Sequence, residues 1–130
     1  MENPAYRHAG VIAFGDTDAS GWVHFPNIFK YVEAAEHAFL RSRGVIVFDR
    51  LEGGWPRVKV SCDFTRPLQC GESIETQLVI SRIGTTSITW DFEISHATGE
   101  TAALGSMTTV RVDTHGRPQE ISAAERAALR

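Results

Sequence analysis

The densest run of chemistry-capable side chains in this sequence is Phe14-Gly15-Asp16-Thr17-Asp18-Ala19-Ser20-Gly21-Trp22-Val23-His24-Phe25-Pro26-Asn27. Two carboxylates one residue apart, two glycines and a histidine share a turn-rich stretch that leads into a predicted helix. A loop of this kind can deliver a carboxylate as nucleophile or general base, with unpaired N–H groups of the helix start nearby to receive negative charge. If the segment is locally extended, Asp16 and Asp18 point to opposite sides, so that one can face a pocket while the other ties the loop. The plainer reading is a pair of carboxylates bonded to local N–H groups, as Asp often is in turns. A divalent ion held by the D-x-D pair beside a phosphate is a third chemistry. It normally comes with a glycine-rich phosphate loop or further acidic ligands, and the sequence has neither.

The element that must position this loop is one long helix. From Pro26 to Arg43, residues Ile28, Tyr31, Val32, Ala35, Ala38 and Phe39 repeat at helical spacing, with Lys30, Glu33, His37 and Arg41 opposite. Pro26 suits the first turn and Gly44 the C-terminal cap. Phe29, Ala34 and Leu40 widen the apolar face, which predicts a helix lying inside a curved sheet. Beyond it the period changes to two. Val58, Val60, Cys62 and Phe64 alternate with Arg57, Lys59, Ser61 and Asp63; Ile74, Leu78 and Ile80 mark a second strand; Ile88, Trp90, Phe92 and Ile94 a third; Ala102 through Val112 a fourth. A weaker opening strand is expected near Val11 to Phe14, and Ser122 is expected to cap a short final helix. This order is α+β with an antiparallel meander, one domain over residues 1–130. Such a sheet leaves a free edge, and pairing of two copies along it predicts a homo-oligomer.

Composition narrows the function classes. Thirteen Lys and Arg against sixteen Asp and Glu give a net charge of −3, without the basic stripe that nucleic acid or anionic lipid would need. The longest purely aliphatic or aromatic run, Val45 to Phe48, is far short of the ~20 residues of a membrane span. The Met-Glu-Asn-Pro start does not read as a signal peptide. Cys62 and Cys70 lack metal-type spacing and are expected as reduced thiols in the cytoplasm, with no disulfide between them. His8, His37, His96 and His115 form no zinc pattern, and no metal or other cofactor is expected.

The string Asp16-Thr17-Asp18-x-x-Gly21-x-Val23, then Phe25-Pro26-Asn27 and a long helix, resembles the 4-hydroxybenzoyl-CoA thioesterase family of hotdog-fold proteins. Pro56 through Phe64, Arg66-Pro67-Leu68, Cys70-Gly71-Glu72, Arg82-Ile83-Gly84 and Ser87 resemble its later strands in order and spacing. The resemblance implies the hotdog fold, a long central helix wrapped by a curved antiparallel sheet, in homodimers or homotetramers that hydrolyse acyl-CoA thioesters at the subunit interface. It places the catalytic carboxylate at Asp18 and an oxyanion-stabilising N–H near Phe25. Gly21 would let backbone approach the substrate, and Pro56 would lie near a partner's site.

A thioester suits a single carboxylate, since its thiolate leaves without a strong general acid. Attack to form an anhydride and activation of water both remain open for Asp18. Relatives that read Tyr-His before the helix differ from His24-Phe25 here; His24 is a candidate substrate contact, with capping or packing as the simpler role. Trp22 and Trp55 are candidate walls for the acyl group, and Ser61 a candidate polar contact; Trp90 is structural. Arg82, Thr85 and Thr86 are candidates for the nucleotide phosphates. The acyl group is left open, leaning toward an aryl or medium chain. A carrier-protein thioesterase, a hydratase or dehydratase, and a non-catalytic acyl-CoA binder are the alternatives.

Overall fold

The structure is a computed structural model that describes residues 1–130. The strands are β1 (Tyr6–Val11), β2 (Phe48–Asp49), β3 (Gly53–Gly54), β4 (Arg57–Phe64), β5 (Ser73–Ile83), β6 (Ser87–His96) and β7 (Thr101–Val110). The helices are α1 (Ile28–Ser42) and α2 (Ala123–Leu129). Five strands form one antiparallel sheet in the order β1-β5-β6-β7-β4, with α1 packed against one face. A two-stranded ribbon of β2 and β3, absent from the sequence reading, follows the helix.

The core lies between α1 and the inward stripe of β6. Ile28, Val32, Ala35, Phe39 and Leu40 meet Ile88, Trp90, Phe92 and Ile94, all buried. Phe39 stands edge-on to Trp90 at 5.7 Å, and the Trp90 indole donates to Thr109 Oγ1 at 3.1 Å, so its polar end is satisfied while its ring is buried. Burying a large apolar side chain contributes about 1.5–3 kcal/mol. That stripe anchors the helix and, through it, the loop at its start. At the other end of the chain, Ser122 caps α2 in a reciprocal pair with Glu125.

Four expectations need correction. The opening strand runs over Tyr6–Val11, and Phe14 instead begins a 3-10 turn (Phe14–Asp16). Strands β4 and β5 do not pair: β4 crosses to the far edge and pairs with β7, because the Thr65–Glu72 connection is long enough to leave the meander. The simple alternation in β4 is broken by a bulge between Arg57 and Lys59, which turns Arg57 toward the helix and leaves Val58 61% exposed. Ala34 is exposed as well, so the sheet covers α1 over a narrower face than expected.

Candidate active site

The loop before α1 is tied down by Asp16. Its carbonyl accepts the His24 N–H at 2.9 Å and the Asn27 amide at 3.0 Å, while its carboxylate takes Lys30 Nζ on one oxygen and the Tyr31 hydroxyl, at 2.7 Å, on the other. These donors hold Asp16 below its ordinary pKa, Lys30 first. Both Asp16 oxygens thus accept from the helix, so that this carboxylate ties the loop to α1.

Asp18 lies two residues on, at the start of a tight turn in which Gly21 N–H donates to the Asp18 carbonyl at 3.0 Å. Gly21 has φ +86°, and a Cβ there would meet nothing within 4 Å; the turn's left-handed backbone, not close packing in this chain, calls for glycine. The Asp18 side chain is 43% exposed. Its Oδ1 accepts the Ser20 amide at 2.9 Å and the Ser20 hydroxyl, and its Oδ2 lies 3.5 Å from His24 Nδ1. The Ser20 bonds, ahead of His24, lower its pKa from the ordinary 3.8.

Asp18 borders a cavity of about 380 Å³. Trp22, Val23, Phe25, Ile28, Phe64 and Leu68 supply its apolar walls, with Thr65 and Arg66 at the far side. Phe25 and Phe64 meet edge-on at 5.8 Å. Seven residues after Asp18 the loop carries a free donor. Val23, His24 and Asn27 all spend their N–H groups on carbonyls, and Ile28 bonds back to Phe25 and Pro26, whereas the Phe25 N–H has no acceptor. Pro26 has no N–H to compete, so the first donor of the 3-10 turn (Phe25–Asn27) stands alone. The loop thus joins an ionised carboxylate, a free amide and an apolar hollow.

Of the residues expected at a site, Asp18, His24 and Phe25 are brought together around this cavity and Gly21 shapes the turn. The His24 side chain makes no cap bond to the helix; it faces Asp18 instead. Trp55 is not brought here: it is 8% exposed, its indole donates to the Ile46 carbonyl at 3.1 Å, and Arg111 stacks on its ring. Ser61 points to the opposite sheet face, its hydroxyl 3.2 Å from that of Ser106. Arg82 lies in a separate shallow groove with Arg126 and Arg130. The carbonyls of Thr85 and Thr86 in the same hairpin accept from Arg126 and Arg111. Spacing does not single out the walls from Phe64 to Leu68 for this role, since they reach the loop through contacts far apart in sequence, among them the Val23 N–H bond to the Leu68 carbonyl at 2.8 Å and the Phe25–Phe64 ring contact.

A long helix on an antiparallel sheet, entered through a loop with an accessible carboxylate, defines the class of hotdog-fold thioesterases. The sequence profile of the thioesterase superfamily matches residues 20–103, and the chain belongs to that family. It is 32% identical over 95 residues to the 1,4-dihydroxy-2-naphthoyl-CoA hydrolase of Synechococcus elongatus, covering 70% of each chain. A gentisyl-coenzyme A thioesterase superposes with TM-score 0.87 at 26% identity, over 95% of this chain and 99% of that one. A substituted 4-hydroxybenzoyl-CoA thioesterase bound to 4-hydroxybenzoyl-CoA has the same fold, with TM-score 0.85 at 19% identity over 95% and 97% of the two chains.

Proposed function

We propose that this chain hydrolyses aromatic acyl-CoA thioesters, with Asp18 as the reacting carboxylate and the Phe25 N–H as oxyanion donor. The observation that carries this reading is Asp18 Oδ2, free of the Ser20 bonds and 3.5 Å from His24 Nδ1, at a cavity also lined by Phe25, whose amide has no acceptor. An aryl group seats between Phe25, Phe64, Ile28 and Leu68, and its thioester oxygen takes the Phe25 N–H. Asp18 Oδ2 then either bonds to the carbonyl carbon or removes a proton from the water that does so. In both routes the carbon–sulfur pair leaves on sulfur, giving CoA thiolate; in the first, water then cleaves the acyl anhydride. His24 contacts the substrate or the carboxylate. The similarity to hydrolases of naphthoyl- and gentisyl-CoA supports an aromatic acyl group. Arg82, with Thr85 and Thr86 of its hairpin and Arg126 and Arg130 alongside, is the proposed seat of the nucleotide phosphates.

The proposed assembly is a homodimer or homotetramer built on β4. One side of β4 pairs with β7 and the other is a free edge carrying exposed Val58, Val60 and Phe64. Two copies paired antiparallel about Ser61 would set Lys59 of each opposite Asp63 of the other, on the same sheet face. They would also bring a second chain beside Phe64, at the open side of the Asp18 cavity.

Thiol release is measured with benzoyl-, gentisyl-, 1,4-dihydroxy-2-naphthoyl-, acetyl- and palmitoyl-CoA for wild type and Asp18→Asn, with sedimentation of both proteins. The aryl substrates are expected to turn over fastest, Asp18→Asn to lose about 100-fold or more in kcat, and both proteins to sediment as oligomers. Equal turnover by the two proteins rejects Asp18; a monomer at micromolar concentration rejects the edge pairing.

A further inference from the structure

We propose that Ser20 is a positioning residue for Asp18: its amide and hydroxyl hold Oδ1, leaving Oδ2 as the one oxygen offered to the thioester. This rests on the reading of Asp18 as the reacting group. Three observations make the hold directional. The Ser20 N–H donates to Asp18 Oδ1 at 2.9 Å, and the Ser20 hydroxyl bonds to the same oxygen. The Trp22 N–H in turn donates to Ser20 Oγ at 3.2 Å. An oxygen that accepts from Trp22 turns its own hydrogen away from that donor, toward Asp18. The carboxylate, otherwise free to spin about its last bond at an exposed site, is pinned by two donors on one oxygen.

The consequence is a division of labour between two chemically equivalent atoms. Oδ1 is saturated by the loop. Oδ2 meets only His24 Nδ1 at 3.5 Å and the cavity. The charged or titratable groups that share the cavity with Asp18 are His24, from the same loop, and Arg66, from the β4–β5 connection. Arg66 is engaged by Glu100 at 2.9 Å and by Glu72 at 3.4 Å, so it is not a competing partner for Oδ2. Ser20 also heads the causes that lower the Asp18 pKa, which keeps the carboxylate ionised into mild acid.

The test compares Ser20→Ala and Ser20→Thr with wild type across pH, using the aryl-CoA substrate that wild type turns over fastest. Position 20 has no positive φ, so its backbone accepts a β-branched residue. Ser20→Ala is expected to lower kcat about tenfold with KM little changed, since a loosened reacting group loses orientation and not binding. Its acid limb of kcat/KM should move to higher pH, and Ser20→Thr, which keeps the hydroxyl, should restore both. A Ser20→Ala enzyme with wild-type kcat and an unmoved acid limb overturns the proposal, as does failure of Ser20→Thr to restore them. Asp18→Asn in the same series separates the two levels: if it is inactive, a null result at position 20 removes only the role of Ser20, and if it is active, the reading of Asp18 falls with it.

Discussion

At the entrance to α1, Asp16 receives a lysine on one oxygen and a tyrosine hydroxyl on the other, whereas Glu36, about two turns into the helix, has Arg57 on one oxygen and nothing on the other. Glu36 is 1% exposed. Burial pushes its carboxyl up to about 7, against the pull of Arg57, while the donors around Asp16 draw that group below 3.8. Their pH effects on stability therefore run in opposite directions. The Asp16 contribution is in place above 3.8 and is lost as acid protonates the folded carboxylate. Between 4.5 and about 7 folded Glu36 holds a proton that the unfolded chain has released, so its contribution is lost as pH rises through that window. Depth raises Glu36 past what its one partner can offset, and donors on both oxygens lower Asp16, so burial and donor coverage together decide which carboxylate stays charged.

Removing Arg57 attacks the contrast where it is steepest. At pH 8, Arg57→Ala is expected to cost about 3–5 kcal/mol in urea unfolding, because an ionised carboxylate is left without a partner in the core. Part of that cost should return at pH 5, where Glu36 takes a proton; equal losses at both pH values would mean that Arg57 acts through packing alone. Glu36→Gln tests the same site from the other partner. Wild type should lose roughly 2–3 kcal/mol more than this variant between pH 5 and pH 8, and parallel curves would remove Glu36 as the titrating group. The smallest effect is expected at the loop. Tyr31→Phe strips one donor from Asp16 and an acceptor from the Ala13 N–H, for about 1–2 kcal/mol of stability. Its stability should fall off at a higher pH than that of wild type on acidification, which an acid titration of the folded fraction reads.

Periodicity made α1 and β6 legible, because each buries one continuous stripe, and the same stripe carried the loop to its place. The edge position of β4 was hidden for a different reason: its partner β7 is decided by the route of the Thr65–Glu72 connection, which leaves no mark in local pattern. A one-residue bulge then reversed the expected facing of Arg57 and Val58. Glu36 did leave a signal. It falls midway between Val32 and Leu40 at spacings of four, inside the apolar stripe, and an acid there calls for a buried cation. At the site, residue types marked out the loop from Phe14 to Asn27, and the family resemblance pointed within it to Asp18 and to the amide near Phe25, which stand in two successive local turns. Neither could place Trp55 or Ser61, whose surroundings depend on the β2–β3 ribbon and on the sheet face.

The lone amide at Phe25 belongs to the main chain, so every substitution at that position except proline preserves it. The side chain on the same residue walls the hollow. If that amide is the oxyanion donor we propose, drift at this codon would reshape which acids the protein releases while the electrophile's anchor is inherited intact.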